Sequence, residues 1–112
     1  MRLNHINLSV TDVGMAKSFL MTYFGLKDMG TGNRNMAFLR DDAGLVLSMF
    51  KGKDVHYPGT FHIGFIQESE AKVNEIHARL IADGFDAPAP QRSHAWTFYV
   101  NAPGGFTVEV LS

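Results

Sequence analysis

The 112-residue sequence predicts an α+β fold made of two copies of one strand–helix–hairpin unit. Each half opens with a short β-rich run that contains a histidine. An amphipathic stretch follows, and then two β-rich runs are joined by a turn that contains glycine. The first unit covers approximately residues 1–52 and the second approximately residues 60–112. One such unit would bury little apolar surface alone, so we expect the two to form a single domain or to pair with units of a second chain.

Composition limits the classes of function. Hydrophobic residues make up 46% of the chain and charged residues 19%, which is typical of a globular protein. The net charge of −1 argues against a nucleic-acid partner. No apolar run approaches the roughly 18 residues of a membrane span, and the N-terminus shows no signal-peptide pattern. There is no cysteine, so a metal ion would be held by His, Asp and Glu. We therefore expect a cytoplasmic protein without nucleic-acid or membrane partners.

Capping residues mark the two helices. The first is predicted to begin after Asp12 and to end at Gly25, and the second to begin near Ser69 and to end at Gly84. Spacings of three and four residues give each helix one apolar stripe, formed by Ala16, Phe19, Leu20, Tyr23 and Phe24 in the first and by Val73, Ile76, Leu80 and Ile81 in the second.

The β-rich runs predict six strands, at residues 3–10, 36–40, 45–50, 61–66, 95–100 and 106–111. Residues 41–44 and 101–105 are rich in Gly, Asp, Asn and Pro, as expected of hairpin turns. A further short strand before each hairpin is not readable from the pattern.

Strand alternation separates the side chains into two faces. The apolar face of each strand is expected to pack on a helix, which leaves His5, Asn7, His62 and Glu109 on the opposite face. Two imidazoles and one carboxylate are a common ligand set for a divalent ion with open coordination positions. Ordinary structural roles for these residues are the competing interpretation, because spacing alone does not show that they converge.

Three segments carry a family resemblance. Residues 4–12 read Asn-His-Ile-Asn-Leu-Ser-Val-Thr-Asp, residues 61–65 read Phe-His-Ile-Gly-Phe, and residues 98–110 form a closing hairpin around Pro-Gly-Gly. Together they resemble the vicinal-oxygen-chelate superfamily, which contains glyoxalases, bleomycin-resistance proteins and dioxygenases, over essentially the whole chain. The resemblance implies two paired βαβββ modules whose curved mixed sheet surrounds a metal cleft, and a homodimer.

The resemblance also implies the ligands of a divalent metal ion. By position they are His5, His62 and Glu109, and the ion could be Zn, Ni, Mn, Fe or Mg. The glyoxalase I branch has a second carboxylate where this chain has Ser48, which argues against four-ligand glyoxalase I activity. The three-ligand pattern is shared with fosfomycin-resistance thiol transferases and extradiol dioxygenases. The sequence favours neither, because residues 94–96 do not resemble the potassium-binding loop of the former and the chain is shorter than the latter.

Other residues are candidates for the same face. Glu109 and Tyr99 are the predicted acid–base residues, although ordinary packing would also explain Tyr99. The predicted substrate cleft is lined by Asn7, Phe38, Ser48, Phe50 and Trp96, and Trp96 would equally suit a dimer contact. The leading hypothesis is a metal-dependent enzyme of isomerase, lyase or transferase type that acts on a small oxygenated molecule. The alternative is a non-catalytic binder similar to bleomycin-resistance proteins.

Overall fold

The computed structural model describes residues 1–112 and contains two helices and eight strands in two four-stranded sheets. The chain divides into two compact units, each with one helix and one sheet. The first unit consists of Met1–His56 and Pro103–Gly105, and the second of Tyr57–Ala102 and Phe106–Ser112. Neither helix is long and apolar enough to cross a membrane.

The first unit contains β1 (His5–Val10), α1 (Val13–Phe24), β2 (Lys27–Asp28), β3 (Met36–Arg40) and β4 (Val46–Lys51). Its sheet has the order β1-β4-β3-β2. The edge strand β1 pairs with β4 in parallel, because the helix carries the chain back after β1, and the other pairs are antiparallel.

The second unit repeats this arrangement with β5 (Ile63–Ile66), α2 (Glu70–Ala82), β6 (Gln91–Arg92), β7 (Trp96–Ala102) and β8 (Phe106–Leu111). Its sheet order is β5-β8-β7-β6, with a parallel β5–β8 pair. The prediction of an α+β fold built from two βαβββ modules is confirmed.

The caps of both helices are those expected. The Asp12 side chain accepts a hydrogen bond from Met15 N–H at 2.9 Å, and Ser69 Oγ accepts one from Lys72 N–H at 3.1 Å. Gly25 follows α1 with a φ of 68°, in the left-handed region where a side chain is unfavourable. Asp83 caps α2 one residue before Gly84. Both helices therefore begin and end within about two residues of the prediction.

The strands differ from the prediction mainly at their ends. Residues 61 and 62 precede β5, because Phe61 N–H bonds to Pro58 O at 2.9 Å in a turn. The hairpin strand β7 extends two residues further than predicted and ends at Ala102, which pairs with Phe106. The additional strands β2 and β6 have only two residues each, too few to show a period of two.

Each helix covers the apolar face of its own sheet. In the first unit this core includes Leu8, Val10, Ala16, Phe19, Leu20, Leu39 and Met49, and in the second Val73, Ile76, Leu80, Phe98, Val100, Val108 and Val110. The prediction that Ile81 belongs to the stripe of α2 is wrong: Ile81 is 45% exposed, because it lies about 100° around the helix from Leu80.

The turn Pro103–Gly105 belongs to the first unit although both strands that it joins belong to the second. Thr11 N–H donates to Gly104 O at 3.0 Å. Gly104 has a φ of 104°, and a Cβ there would lie 3.1 Å from Val10 Cβ and 3.2 Å from Ala16 Cβ. Both the backbone conformation and the close approach therefore require glycine at this position.

Candidate functional site

Glu109 lies in the middle of β8, between the buried residues Val108 and Val110. Alternation along the strand turns its carboxylate away from the helix face, yet its side chain is only 6% exposed. The neighbouring strand β7 places Tyr99 directly opposite Glu109. A carboxylate this deeply buried needs hydrogen-bond partners to remain ionised.

Those partners come from four other residues, Tyr99 and the three whose distances follow. Thr97 Oγ1 donates to Glu109 Oε2 at 2.6 Å, and His94 Nε2 lies 2.7 Å from the same oxygen. The other oxygen, Oε1, is 3.2 Å from His62 Nε2. The carboxylate is therefore surrounded by polar groups on both oxygens, and no buried side-chain polar atom in the structure lacks a hydrogen-bond partner.

These contacts set the charge state of the group. Burial alone would raise the pKa of Glu109, but hydrogen bonds from Thr97, His94 and Tyr99 stabilise the anion, and the net effect holds its pKa below the ordinary value. Tyr99 responds in the opposite direction: burial, together with the adjacent negative charge of Glu109, raises the pKa of its phenol. At neutral pH the site therefore holds an anionic Glu109 and a protonated Tyr99.

A backbone carbonyl fixes the proton position on His62. Its Nδ1 lies 3.0 Å from Thr60 O, and because a carbonyl oxygen only accepts, Nδ1 must carry the proton. Nε2 is then the nitrogen that faces Glu109, while the ring edge packs against Tyr99 with the two ring planes at 87°. Metal-binding histidines commonly donate one ring N–H to a carbonyl in this way, which presents the other nitrogen as a ligand. The donor chemistry of this pair fits a divalent cation.

The third predicted ligand, His5, begins β1 in the first unit. Its Nδ1 lies 2.7 Å from Asn4 Oδ1 and donates to it, which leaves Nε2 as the ring acceptor. The chain contains no group of three or more His, Cys, Asp or Glu side chains arranged to hold a metal ion. Of the predicted ligands, His62 and Glu109 lie together within one unit.

Four of the predicted cleft residues lie close together in the first unit. Ser48, which is 5% exposed, donates from Oγ to Asn7 Oδ1 at 2.8 Å across the β1–β4 pair. Phe38 is the partner of Ser48 in the β3–β4 pair. Its ring meets that of Phe50 edge-on at 6.1 Å, and Phe50 is 44% exposed. The position where the glyoxalase I branch has a carboxylate thus holds a buried hydroxyl that is already hydrogen-bonded.

Trp96 lies elsewhere. It alternates with Phe98 and Val100 on the helix side of β7, where its Nε1 donates to Asn74 Oδ1 of α2 at 2.9 Å. The Arg92 guanidinium lies 5.3 Å from the ring centroid. Trp96 is therefore on the opposite face of the sheet from Thr97, Tyr99 and Glu109.

A half-open cavity of about 310 Å³ adjoins the Glu109 group in the second unit. It is lined by Pro88, Ala89, Gln91, Ser93, His94, Thr97, Phe98 and Tyr99. Thr97 shares the face of Tyr99 by alternation alone, so the sequence contains a signal for its position. His94 precedes the strand, in a segment without periodicity, and no sequence pattern predicts its contact with Glu109.

Comparison with known proteins decides the family. The model of the Glyoxalase/Bleomycin resistance protein/Dioxygenase superfamily matches residues 2–110. The chain belongs to this superfamily. The resemblance seen in the sequence is thereby confirmed, and the superfamily contains enzymes such as lactoylglutathione lyase.

Several solved structures of the superfamily resemble this chain. A possible glyoxalase from Bacillus cereus is 51% identical, with 100% of this chain and 99% of that chain covered and a TM-score of 0.96. A lactoylglutathione lyase from Agrobacterium tumefaciens is 22% identical, with 98% and 92% covered and a TM-score of 0.76. A mutant of the fosfomycin resistance protein FosX from Listeria monocytogenes, in complex with Mn(II) and a dihydroxypropylphosphonic acid, is 23% identical, with 98% and 90% covered and a TM-score of 0.82. The last two show the fold alone. No curated protein matches the chain.

Proposed function

We propose that the protein is a divalent-metal-dependent enzyme of isomerase, lyase or transferase type that acts on a small oxygenated molecule. The observation that carries the proposal is the 3.2 Å approach of His62 Nε2 to Glu109 Oε1, with Nδ1 committed to Thr60 O. With its Nδ1–H donated to Thr60 O, the His62 ring turns Nε2 toward the carboxylate, an arrangement that a proton or a cation between the two groups stabilises. The FosX structure with Mn(II) adds support from the same superfamily.

The residues proposed to hold the ion are His62, Glu109 and, as the third ligand, His5. When bound, a divalent ion supplies a Lewis acid that polarises a substrate oxygen and stabilises developing negative charge. Ser48 is no substitute for a second carboxylate as fourth ligand, because its hydroxyl is buried and donates to Asn7. We therefore do not extend the activity of lactoylglutathione lyase to this chain.

The protein's own acid–base groups are Tyr99 and Glu109. Because its pKa is raised, the Tyr99 phenol stays protonated at neutral pH and can donate a hydrogen bond to a substrate oxygen. Glu109, with a lowered pKa, is a weak base and is better suited to stabilising positive charge than to removing a proton. We propose that Asn7, Phe38, Ser48 and Phe50 contribute the polar and apolar surface that contacts the substrate.

Metal binding is the decisive test. Chelator-treated protein would be reloaded with Mn²⁺, Ni²⁺, Zn²⁺ or Fe²⁺, and the bound metal measured by elemental analysis and calorimetry. We expect stoichiometric binding of at least one of these ions to the wild type and its loss in His62→Ala, Glu109→Gln and His5→Ala. The matched control is His56→Ala, since His56 is an exposed loop residue. A wild type that retains none of these ions would contradict the proposal and favour the non-catalytic binder.

The homodimer is a second element of the proposal, and it rests on the family resemblance. Light scattering coupled to gel filtration would measure it directly. A monomeric mass at working concentration would remove the dimer and leave the proposed metal ligands unaffected.

A further inference from the structure

We infer that Thr97 and His94 are positioning residues that hold Oε2 of Glu109, so that the carboxylate offers only Oε1 to a cation beside His62. The cation in this inference comes from the proposed function. The contacts that suggest the inference are all between atoms of the protein. Both donors converge on one oxygen, at 2.6 Å from Thr97 Oγ1 and 2.7 Å from His94 Nε2.

Thr97 and His94 together fill the hydrogen-bonding capacity of Glu109 Oε2. A carboxylate oxygen has two lone-pair sites, and a hydroxyl donor and a ring nitrogen donor occupy both on Oε2. The remaining oxygen, Oε1, faces His62 Nε2 at 3.2 Å. A cation that approaches His62 would therefore meet a carboxylate that can bind it through one oxygen and in one orientation.

The strand pairing explains why this orientation is fixed. Thr97 is 5% exposed and stands on the same face of β7 as Tyr99, whose partner across the strands is Glu109. Its hydroxyl is therefore held by the sheet itself. His94 reaches the carboxylate from the segment before β7 and is half-exposed. The two donors thus come from different local structures, and removing either leaves the other in place.

Fixing a ligand before the ion arrives reduces the conformational freedom that binding must remove. Residues that orient a metal ligand typically change metal affinity by about 10- to 100-fold when they are removed. Neither Thr97 nor His94 needs to touch the ion to have this effect, so the inference concerns Glu109 and not an additional ligand.

Mn²⁺ affinity measured by calorimetry on the full chain tests the inference. We expect Thr97→Val, which keeps the shape but loses the hydroxyl, to bind Mn²⁺ about 10- to 100-fold more weakly than the wild type. Thr97→Ser keeps the hydroxyl and should restore most of the affinity. His94→Ala, at a half-exposed position, should also weaken binding, and His56→Ala should not. Wild-type affinity in both Thr97→Val and His94→Ala would overturn the positioning role and leave the metal site intact.

Crystal structures of metal-free wild type and Thr97→Val separate this inference from the proposed function. If the wild type binds no Mn²⁺, the proposed function fails, but the orientation of Glu109 can still be observed. A carboxylate that rotates away from its wild-type position in Thr97→Val, and returns to it in Thr97→Ser, supports the positioning role. A carboxylate that stays in place when both donors are removed, in the double variant Thr97→Val/His94→Ala, overturns it.

Discussion

His62 turns Nε2 toward Oε1 of Glu109 at 3.2 Å, and the proton on its other nitrogen is committed to the backbone at Thr60. The two residues are 47 positions apart in sequence, one immediately before β5 and the other in the middle of β8, and the parallel pairing of these strands brings them together. The pair therefore depends on the topology of the sheet more than on any local motif.

The acid dependence of stability should depend on Glu109. Its pKa is lowered in the folded state, so the ionised carboxylate stabilises the fold above its unfolded-state pKa, about 4.3, and this stabilisation is lost as pH falls through the lower folded-state value. Urea unfolding from neutral to acidic pH would measure it in the wild type and in Glu109→Gln. We expect the difference in unfolding free energy between them to shrink with acidification. The control Glu68→Gln, at an exposed position, should keep a constant difference from the wild type.

Tyr99 should report the charge of Glu109. Burial and the neighbouring carboxylate both raise the pKa of the phenol, so Glu109→Gln should lower it, while burial keeps it above the ordinary value. An ultraviolet difference titration, with Tyr99→Phe in each background used to isolate this residue, measures the change. An unchanged Tyr99 titration in Glu109→Gln would show that the carboxylate does not influence the phenol.

Leu80 and Ile81 provide a matched test of the core of the second unit. They are adjacent in α2, but Leu80 is fully buried and Ile81 is 45% exposed. We expect Leu80→Ala to lower the free energy of unfolding by about 2–5 kcal/mol, because it removes buried apolar surface and leaves a cavity. Ile81→Ala should cost less than about 1 kcal/mol. Equal losses in chemical denaturation would contradict the burial assigned to α2.

Gly25 and Gly14 should respond in opposite directions to the same substitution. Gly25 has a φ of 68°, so alanine there should destabilise by about 1 kcal/mol although nothing lies within 4 Å of the added Cβ. Gly14 lies in the first turn of α1 with no positive φ, and a Cβ there would meet only Asp12 Oδ1 at an ordinary 3.6 Å. Gly14→Ala should therefore stabilise by about 0.5 kcal/mol. Thermal unfolding of the two variants checks both signs.

Much of the fold could be predicted from the sequence, because its signals are local. Asp12 and Ser69 mark helix starts, Gly25 marks an end, and alternation identifies β8 with both faces assigned correctly. The strands β2 and β6 could not be predicted, since a pair of residues has no periodicity and their pairing is set by the neighbouring strand.

The candidate site was only partly predictable. Alternation places Tyr99 and Thr97 on the face of Glu109, as the structure does. It also places Trp96 on the helix side of β7, so the sequence pattern itself argues against Trp96 as a partner of Tyr99. The contact of His94 with Glu109 depends on the path of a non-repetitive segment, and only the three-dimensional structure provides it.

The turn Pro103–Gly105 has a consequence for the order in which the protein is completed. Val10, Thr11 and Ala16 contact Gly104, which is synthesised more than eighty residues after them. When β1 to β4 of a nascent chain have left the ribosome, the first unit therefore still lacks the turn Pro103–Gly105. Residues 10–16 therefore wait for a segment that leaves the ribosome much later, and closing so long a loop carries an entropic cost that must be met before that unit reaches its final form.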